Sequence, residues 1–402
     1  MTVQDALAAM QTLATAEGRA DPYPLYERLR AAGPVLPLGE GFAVVTGYAE
    51  ADQVLRGAGF RVTDEAALDG SLPGWRSVAS WRWLSRTMLW RNAPDHTRLR
   101  RLAGSAFTPR RVAALRADVT ALAEGLIAPL AAAGEPADFM DAVAYPLPVS
   151  VICALLGVPD ADRDWFRPRA HDLTLALEVF AGDPDELARA DAASDELGEY
   201  FVELLARRQR EPGDDMISDL LAAGAAGEAG GAELVAHLVL LLIAGFETTT
   251  NLLGNGLAVL LDQPEHAARL RARPELVDAY VEEMLRYDPP VQVTSRYAAQ
   301  DAELAGVAVP AGTELLVVLA AAGRDPRRFA EPHRFLPERA GVPSLSFGAG
   351  PHYCLGAPLA RLEAQLAFPL LLDRLPGLRA AGPATRRDRL GFRGYTHLPV
   401  TP

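Results

Sequence analysis

The chain has 402 residues, 50% of them hydrophobic, and carries 52 acidic against 39 basic side chains for a net charge of −13. That balance argues against nucleic-acid binding, and apolar residues spread from end to end, with no linker, repeat or low-complexity tract, favour one large folded unit. Only two cysteines, Cys153 and Cys354, are present, too few for a disulfide framework, so the chain reads as cytoplasmic.

The stretch from Met1 to Gly18 lacks the basic start and apolar centre of a signal peptide or anchor. A helical pattern runs from Pro22 to Ala32, followed by short strand signals such as Phe42 to Val45. Trp75, Trp81, Trp83 and Trp90 cluster next, and core packing accounts for most of them. In Asp95-His96-Thr97-Arg98-Leu99-Arg100, His96 and Arg100 stand four apart on one helix face. From Thr108 onward the periodicity is helical, with patterns over Arg110 to Ala133, Pro146 to Leu156 and Asp185 to Gln209. Cys153 falls in an apolar run and reads as core. Every basic residue is an arginine, and Arg98, Arg100, Arg101, Arg110 and Arg111 are the densest basic run, the candidate surface for an acidic partner.

The longest pattern, Ala232 to Leu261, predicts a helix of about 45 Å. Its stretch Leu238 to Gly245 is apolar enough to suggest a membrane span, but Glu247, Thr248, Thr249, Thr250 and Asn251 follow well short of the roughly 20 apolar residues a span requires. The expectation is a buried core helix with a polar centre, and no membrane. Such a centre needs a reason. Ala244 and Gly245 allow a flat partner to pass close by, and a threonine that bonds to backbone carbonyls can open the helical ladder. Taken alone, Glu247 also reads as half of a buried salt bridge and Thr248 as a helix-bending residue.

The next helix carries Glu283 and Arg286 at i, i+3, a spacing whose default meaning is a solvated pair. Val291, Gln292, Val293, Thr294 and Arg296 follow Pro289-Pro290, and Arg339 closes Phe335-Leu336-Pro337-Glu338-Arg339. The segment Phe347-Gly348-Ala349-Gly350-Pro351-His352-Tyr353-Cys354-Leu355-Gly356 then frames a thiol with three glycines ahead of a helical pattern from Leu359 to Leu375, which Pro369 should bend. Glycines let backbone approach a flat ligand and turn amides toward a sulfur, and a helix N-terminus favours the thiolate. Zinc would need four clustered ligands where only His352 is near, a nucleophile would need a base, and a plain core thiol would not need the glycines.

The string F-G-x-G-x-H-x-C-x-G resembles the haem-binding loop of the cytochrome P450 family, and the similarity runs from Asp21-Pro22 to Leu398-Pro399-Val400. The resemblance implies a mainly α fold, one catalytic domain over residues 1–402 whose small β-rich lobe draws on residues 1–70 and 290–320. It implies haem b held by Cys354 as thiolate ligand, a loop that includes Phe347, Gly348 and Gly356, and propionate donors His96, Arg100, Arg296 and His352. Ala244-Gly245-Phe246-Glu247-Thr248 is similar to the family's oxygen-binding motif, with Thr248 serving oxygen activation and Glu247 helping to bring protons from bulk water. Glu283, Arg286 and Arg339 would be a structural charge cluster. Trp83, Val291, Gln292, Thr294, Tyr395 and Thr396 would face the substrate.

By the same resemblance the chain is a monooxygenase using O2 and two electrons from a separate ferredoxin and ferredoxin reductase, since no flavin, nicotinamide or iron–sulfur signature is visible. Its substrate would be a bulky, largely apolar small molecule of secondary metabolism. Competing readings are a haem-thiolate enzyme of phenol coupling or peroxide-driven oxidation, and a non-catalytic helper of the same fold, which would be expected to lack Cys354.

Overall fold

A computed structural model of the protein describes residues 3–104, 107–178, 183–222, 230–339 and 343–402. The helices that carry the site are α1 (Tyr48–Arg56), α2 (Ala79–Leu84), α3 (Asp95–Gly104), α4 (Arg116–Ala133), α5 (Pro146–Leu156), α6 (Arg163–Thr174), α7 (Pro184–Arg210), α8 (Gly231–Asp262), α9 (Val277–Tyr287) and α10 (Ala357–Arg374). The pattern expected over Arg110 to Ala133 is two helices, Pro109–Ala114 and α4, joined at Leu115. Elsewhere the helices that were expected agree with those observed to within two residues at each end.

At 32 residues α8 spans about 48 Å and is the axis of the fold. Helices α5, α6, α7 and α10 pack on it, and α4 packs on α10. The resulting apolar core runs from Leu99 through Leu156, Phe201, Leu253 and Phe368 to Val400. The 18-residue window of α8 that is most apolar is 67% buried inside the protein, so this helix is core, as its polar centre implied. Helix α10 continues through Pro369, one hydrogen bond short.

A five-stranded sheet takes its strands from the two ends of the chain: β1 (Val35–Pro37), β2 (Phe42–Val45), β3 (Phe60–Arg61), β4 (Thr294–Ala298) and β5 (Glu314–Val317), in the order β1-β2-β5-β4-β3. Only β2 and β5 run parallel, with Val45 opposite Val317, and the inward residues Val45, Leu315 and Val317 bury against Val54 and Leu55 of α1. The antiparallel pairing of β4 with β5 fixes Arg296 opposite Leu315. A hairpin of β6 (Thr385–Arg386) and β7 (Tyr395–His397) closes the C-terminal side.

Candidate active site

Three elements meet at the cysteine loop. Gly348 and Gly350 adopt φ of +69° and +68°, the left-handed region that disfavours side chains, and a Cβ on Gly350 would lie 2.5 Å from the Leu55 carbonyl oxygen of α1. The turn is closed by the Cys354 amide, which donates to the Phe347 carbonyl at 2.8 Å. The Arg361 guanidinium covers the Phe347 ring at 4.5 Å. Cys354 then lies just before α10, and the amides of Gly356 and Ala357 point at its sulfur. Burial pushes the thiol up and the two amides pull it down, with burial the larger effect. A metal ion bound there would hold Cys354 as thiolate, since a cation deprotonates a coordinating thiol outright.

Beside this loop the four expected donors converge. The His96 and His352 rings lie 4.0 Å apart between centroids. Burial, then His96, Arg296 and Arg100, lower the His352 imidazole to about 3. Burial, then Arg100 and Arg296, lower His96. Arg296 is only 6% exposed, and burial alone lowers it to about 10. Its guanidinium reaches the Ser295 carbonyl at 2.6 Å and the Thr294 hydroxyl at 3.4 Å, but no carboxylate among the described residues. Two imidazoles and two guanidiniums with no carboxylate paired to them among the described residues form a receptor for a dianion, so the residues present fit haem with its two propionates.

Across from them, α8 is buried from Leu234 to Leu260 except at Ala244, which is exposed, and Gly245 and Thr248, which are half-buried. Ala244 and Thr248 stand one turn apart on the more open face of α8, whereas a Cβ on Gly245 would meet Ile152 of α5 at 3.1 Å, so its small size serves helix packing. The Thr248 hydroxyl donates to the Ala244 carbonyl at 2.8 Å, the local competition expected of a threonine here. Glu247 points the other way. Its side chain is 1% exposed, Oε1 accepts from Arg387 Nη1, and Oε2 has no partner among the described residues. Burial raises this carboxyl, and Arg387 and Arg389 offset the rise only in part. Arg387 also donates to the Tyr145 hydroxyl at 2.6 Å and lies 3.3 Å from His171 Nδ1, an imidazole lowered to about 4 by burial and by Arg387. Glu247 is thus half of a buried ion pair as well as the neighbour of Thr248.

The charge cluster is buried, not solvated. Glu283 accepts from Arg286 Nε and Nη2, both at 2.7 Å, from the Leu336 amide at 2.7 Å and from Arg339 Nε at 3.4 Å. Arg286 also donates to the carbonyls of Gly323, Pro332 and Arg334 at 2.8–2.9 Å, tying α9 to the segment before the cysteine loop.

Of the six positions expected to face substrate, Val291 and Thr294 are half-buried beside Arg296. The other four lie elsewhere. Gln292 is 1% exposed and its amide donates to the Pro289 carbonyl at 2.7 Å. The Trp83 ring lies on Gly198 of α7 and its indole N–H donates to Asp195 at 3.1 Å, so it ties α2 to α7. Tyr395 is buried against Gly254 of α8 with Arg386 over its ring at 4.2 Å, and Thr396 is exposed and bonded to the Thr385 carbonyl. Val291 pairs across an antiparallel bridge with Phe392 of the same C-terminal segment. Sequence reasoning also missed Arg387, which sits in the run Arg386-Arg387-Asp388-Arg389 and reads as surface until the fold carries it to Glu247.

A thiol at a helix start, a dianion receptor beside it and a small-residue opening in the facing helix define a haem-thiolate site. The family profile described as Cytochrome P450 matches residues 163–376. The cytochrome P450 monooxygenase PikC of Streptomyces venezuelae is 41% identical over 95% of this chain and 91% of its own length. The 6-deoxyerythronolide B hydroxylase of Saccharopolyspora erythraea is 36% identical over 94% and 96%. The crystal structure of P450BioI in complex with an acyl carrier protein bearing hexadec-9Z-enoic acid superposes with a TM-score of 0.90 at 36% identity, over 96% of this chain and 99% of that one. The chain belongs to the cytochrome P450 family and is a monooxygenase.

Proposed function

We propose that this monooxygenase, with haem b as cofactor, hydroxylates or epoxidises a bulky, largely apolar small molecule of secondary metabolism, of the polyketide, peptide or terpenoid kind. It would work in the cytoplasm, taking O2 as co-substrate and two electrons from a separate ferredoxin and ferredoxin reductase. The observation that carries the reading is the convergence of His96, Arg100, Arg296 and His352, two of them buried and two half-buried, on the segment that carries Cys354. The macrolide-tailoring names among the relatives support the substrate class.

Bound there, haem with a thiolate ligand supplies O–O cleavage and oxygen transfer. Cys354 would hold the metal, and the Arg100 and Arg296 guanidiniums, with His96 and His352 as hydrogen-bond donors, would hold the carboxylates. Ala244 keeps side-chain bulk off the facing surface, and the apolar walls exclude water. The Thr248 hydroxyl, now donating to Ala244, can turn to donate into the cavity. Glu247 Oε2 is placed to carry a proton on a carboxyl that burial already pushes toward neutrality, and Arg387 sets how far. An acidic ferredoxin would meet arginines, since the chain has no lysine.

Titration of the purified ferric protein with macrolides, terpenoids, aromatic acids and cyclic peptides, read as a low-to-high spin shift, tests the substrate class. A shift with one class identifies it. No shift with any, while the reduced carbon monoxide complex keeps its thiolate spectrum, would replace a free substrate by a carrier-bound one. Loss of that spectrum is expected in Cys354→Ala, and its retention would refute the axial ligand.

A further inference from the structure

We propose that the cavity at the C-terminal end of α8 is a second small-molecule site, separate from the haem, for a zwitterion of the amino-acid kind with a large apolar side chain. The cavity measures about 570 Å³ and lies between the helix Tyr23–Ala32, the ends of α8 and α9, and the strands β6 and β7. That volume suits a small molecule. On α8 it is lined by Asn255, Ala258, Val259 and Asp262. Asn255 and Asp262 stand about 10 Å and about 21 Å beyond Thr248 along the helix axis. None of the residues assigned above to the haem lines it.

Charge divides this cavity into a basic floor and an acidic mouth. On the floor, Asp288 accepts from the Tyr23 hydroxyl at 2.6 Å and from Arg393 Nε at 2.9 Å, and Arg386 Nη1 lies 3.2 Å from its other oxygen. Arg324 stacks on the Tyr23 ring at 3.4 Å. Three guanidiniums therefore share one carboxylate, and Arg386 Nη1, though buried, makes no hydrogen bond to a described residue. At the mouth, Asp21 and Asp262 are exposed and unpaired among the described residues, and Glu27, which pairs with Arg30, joins them. Burial raises the Tyr395 hydroxyl, and Arg386, Asp288, Arg393 and Asp262 all act on it, so floor and mouth face one space.

An anion alone would meet the acidic mouth, and a cation alone the arginines. A molecule that carries both charges satisfies each. The carboxylate is assigned to Arg386. The ammonium is assigned to Asn255, drawn by the charge of Asp262. Asn255 is 2% exposed, and its Nδ2 donates to the Asp288 and Arg393 carbonyls at 3.1 and 3.0 Å. Those bonds fix the amide and leave Oδ1, an acceptor with no partner among the described residues, for a guest. Asn255 bonds to the Asp288 main chain and Arg386 pairs with the Asp288 side chain, so acceptor and cation stand side by side, as the two charges of an α-amino acid do. Ala258, Val259 and the Tyr287 ring offer an apolar wall to its side chain.

Calorimetry on the haem-loaded protein, with and without 4-phenylimidazole on the haem, tests the site. L-Tryptophan should bind saturably under both conditions. Tryptamine, which lacks the carboxylate, and indole-3-propionate, which lacks the ammonium, should each bind about tenfold more weakly. Arg386→Met should weaken L-tryptophan about tenfold and leave tryptamine unchanged. Asp288 keeps Arg393 and Tyr23 in that variant, so its fold is retained. Asp262→Asn should weaken L-tryptophan about threefold and leave indole-3-propionate unchanged. The absence of saturable binding by L-tryptophan, L-phenylalanine and L-leucine would overturn the site. Tryptamine or indole-3-propionate binding as tightly as L-tryptophan would overturn the zwitterion, and wild-type affinity in Arg386→Met would overturn the place of the carboxylate. Binding seen only without 4-phenylimidazole would put the amino acid in the haem cavity and refute a separate site.

Discussion

The buried pair of Glu247 and Arg387 can be taken apart by a double-mutant cycle. Their side chains are 1% and 4% exposed, so neither charge can recover hydration when the other is removed. Removing one partner of such a pair typically costs about 3–5 kcal/mol, whereas replacing both by neutral groups of similar size is often close to neutral. Arg387→Met should therefore be strongly destabilising, Glu247→Gln moderately so because Arg387 keeps the Tyr145 hydroxyl, and the double variant should recover most of the loss. A coupling of about 2–3 kcal/mol is expected from denaturant midpoints of the haem-loaded proteins. The loss in Arg387→Met should also depend on pH. With the guanidinium gone, burial alone acts on Glu247 and its folded pKa lies further above the unfolded one. The penalty is then absent at low pH, where the carboxyl is protonated in both states, and grows by about 1.4 kcal/mol per unit as pH rises above the unfolded value. Single effects that add to within about 0.5 kcal/mol, or a loss independent of pH, would refute the buried pair.

Other substitutions address other parts of the scaffold. Thr248→Ala should leave folding intact and divert electrons from product to peroxide, and unchanged coupling would remove the hydroxyl from oxygen activation. Gly350→Ala combines a left-handed backbone with contact against Leu55, so it should lower the fraction of protein that retains haem, read as the ratio of haem to protein absorbance. Glu283→Gln should cost about 3–5 kcal/mol, because Arg286 stays buried with its charge uncompensated, and a loss under about 1 kcal/mol would contradict that network. Burial raises the Asp288 carboxyl, but Arg393, Arg386 and the Tyr23 hydroxyl reverse this and leave it below its usual value. Its stabilisation is thus complete above the unfolded pKa of about 3.9 and lost as pH falls through the folded one. The stability gap between wild type and Asp288→Asn should be constant near neutrality and close on acidification, and a gap that persists in acid would be evidence against the assignment.

What could be read in advance was whatever is local in sequence. Helix ends announced by proline and glycine were placed to within two residues, as at Pro146–Leu156. The cysteine loop and the Glu283–Arg286 spacing were visible because each is held in one short segment. The break at Leu115 was hidden because both halves of Arg110 to Ala133 share the same periodicity. Contacts between distant segments were the least legible. Nothing in Arg386-Arg387-Asp388-Arg389 distinguishes the arginine that is buried against Glu247 from those that are not. The surroundings of Tyr395 and Thr396 were equally hidden, because the hairpin of β6 and β7 sets which residue turns inward, and its register shifts between Thr385 and Arg386.

The buried charges of this molecule are compensated to different degrees, and that contrast separates scaffold from chemistry. Glu283 with Arg286, and Asp288 with Arg393, are satisfied inside the protein, so they fix geometry whether or not anything is bound. His96, Arg100, Arg296 and His352 are not, and burial with mutual repulsion holds both imidazoles low. Folding therefore brings cationic groups together at a cost that only an anionic guest offsets, and binding of that guest contributes to folding stability. Glu247 lies between these cases. Arg387 compensates it in part, leaving its carboxyl raised and one oxygen unpartnered on the reverse of the helix that carries Thr248. A fully paired carboxylate could not yield a proton, and an unpaired one would be permanently protonated. Partial compensation is therefore what the proposed proton-carrying role of Glu247 calls for.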